Sequence, residues 1–206
     1  MKKIYLLLTV VLISANVSFG QFALGVKIGY NANKLSTNID TIKTQFNSGF
    51  HVGIWTHLGK RFYVAPEVLY TMSGAIFDNQ GQPSTKDWKQ KITIGTLDIP
   101  ILLGFKIIHS DVITWRFELG PEASFVVNQK IKELNSPIGP ITEADINKIN
   151  WYIEAGTGID VLFLAFNIRY KYGLNKMIKD VQNNWTFDSH NGMFLVSVGF
   201  KIFGKK

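Results

Sequence analysis

The chain has no cysteine among its 206 residues, which excludes a disulfide framework, a thiolate metal centre and a lipid-modified N-terminal cysteine. It also lacks runs of one charge. The 22 basic and 15 acidic residues leave a formal net charge of +7, yet the basic residues are scattered and form no aromatic-interleaved patch. Nucleic acid is therefore not an expected partner, whereas a mild basic excess suits an anionic lipid surface. Past the N-terminus no stretch approaches the roughly 20 consecutive apolar residues that a spanning helix needs. A membrane-crossing chain without such helices has one architecture left, the closed β-barrel.

Aromatic residues and glycine are abundant. Fifteen Phe, 7 Tyr, 5 Trp and 18 Gly favour β structure with tight turns or close packing. At the N-terminus, Lys2 and Lys3 precede the apolar run "IYLLLTVVLISANV" and the small-x-small triplet "SFG". This pattern predicts a cleaved secretory signal peptide over residues 1–20 and a mature domain over 21–206.

Period-two alternation predicts eight strands, at 22–30, 50–58, 61–72, 96–106, 112–127, 151–161, 163–173 and 193–203. Long polar links at 31–49, 73–95, 128–150 and 174–192 alternate with three tight turns. Within the third long link, "ITEADINK" suits a short helix begun by Thr142. Long loops at one end and short turns at the other predict an all-β, eight-stranded, antiparallel up-and-down transmembrane barrel of the outer-membrane type.

In each strand one parity is free of charge, as in Phe22, Leu24, Val26, Ile28 and Tyr30. The opposite parity carries Lys27, Arg61, Lys106, Arg116, Arg169, Lys171 and Lys201 against Glu67, Asp98, Glu118, Glu122, Glu154 and Asp160, together with most of the strand glycines. Oily residues facing lipid and paired charges facing a narrow lumen account for both sets. The glycines leave room for the long charged side chains. A lumen filled by its own side chains is the expectation, rather than an open pore. Tyr30, Phe50, Tyr70, Trp151, Tyr170 and Tyr172 near the long loops, and Phe22, Phe62, Phe105, Phe200 and Phe203 near the short turns, suit two interfacial girdles. Pro66, Pro100 and Pro121 interrupt strands, which predicts bulges or locally broken pairing.

The segments "YVAPEVLYTMSGA" (63–75), "TLDIPILLGFK" (96–106), "ELGPEASFVV" (118–127) and "IRYKYGLNKM" (168–177) resemble the PorT-like outer-membrane β-barrel family of Bacteroidetes-type bacteria. The resemblance covers nearly all of the mature chain in the same order. It implies an integral outer-membrane barrel, and PorT itself is associated with a protein-secretion and gliding apparatus.

Catalytic signals are weak. His51 and His57 share one face of a strand but lie about 20 Å apart, too far to share a metal. Asp188, Ser189 and His190 are adjacent in sequence, which is not triad geometry. Glu118 and Glu122 beside Arg116 read as strand-linking ion pairs. No catalytic residue, metal ligand or cofactor is therefore expected. The expected partners are outer-membrane lipid and lipopolysaccharide, with other envelope proteins as further candidates; the segment "GLNKMIKD" and Lys34, Lys43, Lys86, Lys89 and Lys91 are candidates for that contact, against a default reading of solvated loop charge. The rival readings are a component of a secretion assembly, a secreted soluble barrel holding an apolar ligand, and an outer-membrane hydrolase or acyltransferase using His190 and Asp188.

Overall fold

The computed structural model describes residues 22–35, 42–45, 47–79, 88–110, 112–133, 146–175 and 191–204. Nine strands form in chain order: β1 (Phe22–Leu35), β2 (Ile42–Gln45), β3 (Asn47–Gly59), β4 (Phe62–Asn79), β5 (Trp88–His109), β6 (Ile113–Glu133), β7 (Ile149–Val161), β8 (Leu164–Gly173) and β9 (Asn191–Gly204). Every neighbouring pair is antiparallel, and the β4–β5 and β1–β9 pairings close the ring. Eight strands make the closed barrel. The short β2 flanks the far end of β4, pairing Ile42 with Asn79 through Gln45 with Ile76. The strands run further towards the long connections than alternation alone indicates, so that 73–79, 88–95 and 128–133 are strand rather than loop. The helix expected at 141–148 lies mostly outside the described residues, and its end at 146–148 is not helical.

The short turns are stitched to one another. Leu162 N–H donates to Val112 O at 3.0 Å, and Lys201 N–H donates to Phe163 O at 2.8 Å. Leu162 holds φ at 56°, the left-handed conformation that a two-residue hairpin turn demands and that a leucine adopts only at some cost.

The three prolines break the ladders without shifting them. Pairing between β3 and β4 stops at Trp55 opposite Glu67 and resumes, in the same register, at Leu58 opposite Val64. The β4–β5 ladder skips from Pro66 opposite Ile101 to Leu69 opposite Asp98, and the β5–β6 ladder from Pro100 opposite Glu122 to Leu103 opposite Leu119. A missing N–H removes ladder bonds but need not add a residue, so strand parity survives each proline. The register shifts lie elsewhere, between Leu24 and Gly25, Gly95 and Thr96, and Lys106 and Ile108.

The outer wall is oily. Val26, Val52, Ile101, Phe117, Ile168 and Val198 are all exposed on it. Two of its threonine hydroxyls find backbone partners, as bilayer burial requires. Thr56 Oγ1 donates to Pro66 O at 2.8 Å, and Thr157 Oγ1 donates to Arg116 O at 2.9 Å. Aromatic rings pack at the short-turn rim, Phe62 with Phe105 at 4.8 Å and Phe163 with Phe200 at 5.2 Å between centroids. At the opposite rim Tyr170 packs on Phe194 at 4.7 Å.

Candidate functional site

The alternation that turns oily residues outward sends the polar residues of all eight barrel strands into one lumen, where they meet. Arg169 on β8 is the hub. Its Nη1 and Nη2 donate to Glu67 on β4 at 3.0 and 2.9 Å, Nη2 also reaches Glu118 on β6 at 2.6 Å, and Nη1 reaches Glu154 on β7 at 3.0 Å. Lys27 on β1 adds a second cation to Glu67 at 2.6 Å. Tyr63 on β4 donates its hydroxyl to Glu118 at 2.7 Å, and His57 Nε2 on β3 lies 3.5 Å from the same carboxylate.

Towards the short turns, Arg116 stands 3.2 Å from Asp160 and 3.5 Å from Glu118 and donates to Asn167, which continues to Ser197 on β9 at 3.4 Å. Towards the long loops, Lys171 bridges Asp98 at 2.9 Å and Glu122 at 2.8 Å, with its ammonium 4.8 Å from the centre of the Tyr152 ring. Ser124 donates to Asp98 from the other side. These charges are sealed from solvent: the Glu67 and Glu118 side chains are 0% exposed and Arg169 is 4% exposed.

Such burial is tolerable only with dense pairing, because an isolated charge in this setting is prohibitively desolvated. Four cations, Lys27, Arg116, Arg169 and Lys171, meet six buried carboxyl groups among the described residues.

Glycine makes the space. A Cβ on Gly104 would enter the Tyr63 ring, and one on Gly158 would strike the Arg116 guanidinium.

Of the thirteen charged residues assigned to the lumen by parity, ten belong to this network. Lys106 and Lys201 are half-buried near the short-turn end, Lys106 with its ammonium 5.8 Å from the Tyr63 ring centre. Arg61 departs from the assignment. It is exposed in the turn with Lys60, and its guanidinium lies over the outward-facing Phe105 ring at 5.2 Å. The turn takes Arg61 out of the strand, so parity no longer dictates its side.

Parity places Tyr63, Ser124, Asn167 and Ser197 inward as well, but a search for charge passes over them. It also passes over Trp55, Leu102 and Tyr152, apolar residues buried in the same lumen. His51 and His57 are both buried inside, His57 between the Trp55 and Tyr63 rings at 4.6 Å from each. His109 pairs through Nδ1 with Thr114 Oγ1 at 3.1 Å beside a short turn. Asp188, Ser189 and His190 lie outside the described residues.

A closed ring with an oily exterior and paired charges within is matched over residues 14–179 by the family model described as outer membrane protein beta-barrel domain. The chain belongs to that family. This outer-membrane barrel is integral to the outer membrane. No curated protein matches it. Among solved structures, the outer membrane protein OprG from Pseudomonas aeruginosa is 12% identical with a TM-score of 0.51, covering 88% of this chain and 95% of that one. Neisserial surface protein A is 14% identical with a TM-score of 0.45, covering 87% and 97%. Ail of Yersinia pestis, in complex with the heparin analogue sucrose octasulfate, is 10% identical with a TM-score of 0.45, covering 88% and 99%. At such identities the likeness to OprG is one of fold.

Proposed function

We propose that this outer-membrane barrel is non-enzymatic, that its lumen is closed by its own side chains, and that it serves envelope structure or interactions through the segments beyond the membrane. The observation that carries this reading is Arg169, which ties β4, β6 and β7 together across the lumen with no exposed carboxylate in the cluster. A side chain held by three partners on three strands is a cross-brace. An ion path needs loosely held, solvated charges instead.

Planar-bilayer recording tests the closed lumen, and purified protein is expected to give no sustained conductance. Steady ohmic channels would overturn it. Lipid hydrolysis or acyl transfer abolished by His190→Ala or Asp188→Ala would overturn the non-enzymatic reading.

The PorT-like reading, a role in an envelope secretion assembly, has one specific observation in its favour. The segments that carry the resemblance supply Tyr63, Glu67, Asp98, Glu118, Glu122, Arg169 and Lys171, the centre of the network. Shared lumen chemistry speaks for a shared scaffold more directly than for a shared partner. Co-purification of defined envelope proteins from gently solubilised membranes would support that role, and a lone monomer would count against it.

A further inference from the structure

Beyond the membrane the barrel wall continues as sheet, and its polarity reverses. Along β5, Leu97, Ile101 and Leu103 face outward while Asp98 and Leu102 face the lumen. The same side-chain phase continues past Thr96, so Ile94 and Ile92 also point inward, only 4% and 2% exposed, while Lys91 stands exposed outside. Below Gly95 the outward face is oily and above it charged. A strand's faces alternate without regard to surroundings, so a reversal of this kind reports a change in the medium outside. It sets the upper lipid–water boundary at Gly95, where the Tyr70 hydroxyl lies across the glycine.

Just above that boundary the outward positions are basic. Lys130 is opposite Thr93, and one rung further Lys91 is directly opposite Lys132; all three lysines are exposed. Like charges directly opposed across a ladder destabilise the pair. The neighbour of Lys91 on its other side is Ile76, which offers no counter-charge. An acidic residue appears one rung higher, where Asp78 is registered between Lys89 and Lys43. Thr93 lies two residues along β5 from Gly95, roughly 7 Å of strand or about 5 Å of height at the usual tilt. That falls within the outer leaflet's headgroup layer, in reach of lysines that can bend towards it.

We propose that Lys91, Lys130 and Lys132 form an outer-wall site for the phosphate groups of a phosphorylated glycolipid of the outer leaflet. The proposal rests on the reading of this chain as an inserted barrel with its long connections outward. Phosphate oxygens would accept charge-assisted hydrogen bonds from the ammonium groups and cancel the repulsion between Lys91 and Lys132. The lipid's acyl chains would lie on the apolar wall below, which a free phosphate ion lacks.

The test refolds wild type, the triple variant Lys91→Ser, Lys130→Ser, Lys132→Ser, the corresponding triple arginine variant, and Lys60→Ser from the opposite rim. Each enters phosphatidylcholine nanodiscs doped with lipid A or with dephosphorylated lipid A, and the lipid retained through detergent exchange is measured. Retention of lipid A is expected to fall roughly fivefold for each lysine replaced by serine, and to survive in the arginine and Lys60→Ser proteins. Equal retention by the triple serine variant, equal retention of dephosphorylated lipid A, or displacement by inorganic phosphate would each overturn the site. Heat-shifted electrophoretic migration is read on every sample. Folded, shifted barrels with equal retention defeat this site alone, whereas a wild type that never shifts defeats the inserted-barrel reading with it.

Discussion

Arg169 presents two terminal nitrogens to Glu67, Glu118 and Glu154, and Lys27 shares the first of these carboxylates. Because the group is sealed, no water can replace a lost partner, and truncation leaves three carboxylates short of a cation. Arg169→Met is expected to lower stability by about 3–5 kcal/mol, measured by urea unfolding from lipid vesicles. Arg169→Lys keeps the charge but loses the planar fork that engages Glu67 through both oxygens, and should fall between the two. Equal stability of all three proteins would show that the brace contributes nothing. At the same scale, Tyr63 and Gly104 face each other across the β4–β5 ladder, and the ring fills the space that any side chain on Gly104 would need. The hydroxyl carried by that ring donates to Glu118, so a packing interlock positions a member of the charge network.

β4, β5 and β6, at 18, 21 or 22 residues apiece, outrun the other strands and carry the wall past the bilayer. The absence of cysteine makes this measurable, since any introduced thiol is the sole one. A membrane-impermeant maleimide applied to intact cells is expected to label Lys130→Cys, to leave Ile101→Cys unlabelled, and to reach Lys60→Cys only after the outer membrane is permeabilised. Labelling of Lys60→Cys before Lys130→Cys would invert the orientation. The strand cores were legible in the sequence because lipid outside and charge inside separate the two parities so sharply. The upper strand ends were not, for a physical reason visible at Lys91, Ile92, Thr93 and Ile94. Above the membrane the outward face turns polar, and a run of lysines and threonines then resembles a loop. The prolines broke pairing as expected but shifted nothing, which follows from a lost donor without an inserted residue. Parity also showed which residues enter the lumen but not which of them meet. That Lys171 finds Asp98 and Glu122 while Arg169 finds Glu67, Glu118 and Glu154 depends on stagger around the closed ring.

For the molecule as a whole, ring closure and inside-out polarity are one condition. An open sheet with this oily face would expose unpaired edges to hydrocarbon, and a closed ring in water would expose Ile28, Phe117 and Ile168 while burying charge. Only lipid outside makes both faces favourable. Ile168 is 58% exposed on the outer wall, paired with Thr157 on β7 and Val196 on β9, midway between the Tyr170 and Phe166 positions of its own strand. Its neighbour Arg169 has a charge of the same kind on the lumen side, where three carboxylates receive it. Ile168→Arg places that charge in the hydrocarbon with no partner, and is expected to cost about 2–4 kcal/mol in bilayers. Ile168→Leu should cost well under half of that, since it conserves volume and polarity. In thinner bilayers the arginine reaches headgroups more easily and the penalty should shrink, while the leucine variant should not respond. Unfolding titrations in vesicles of two thicknesses read both effects. A penalty for arginine that ignores thickness would mean that this face does not meet lipid.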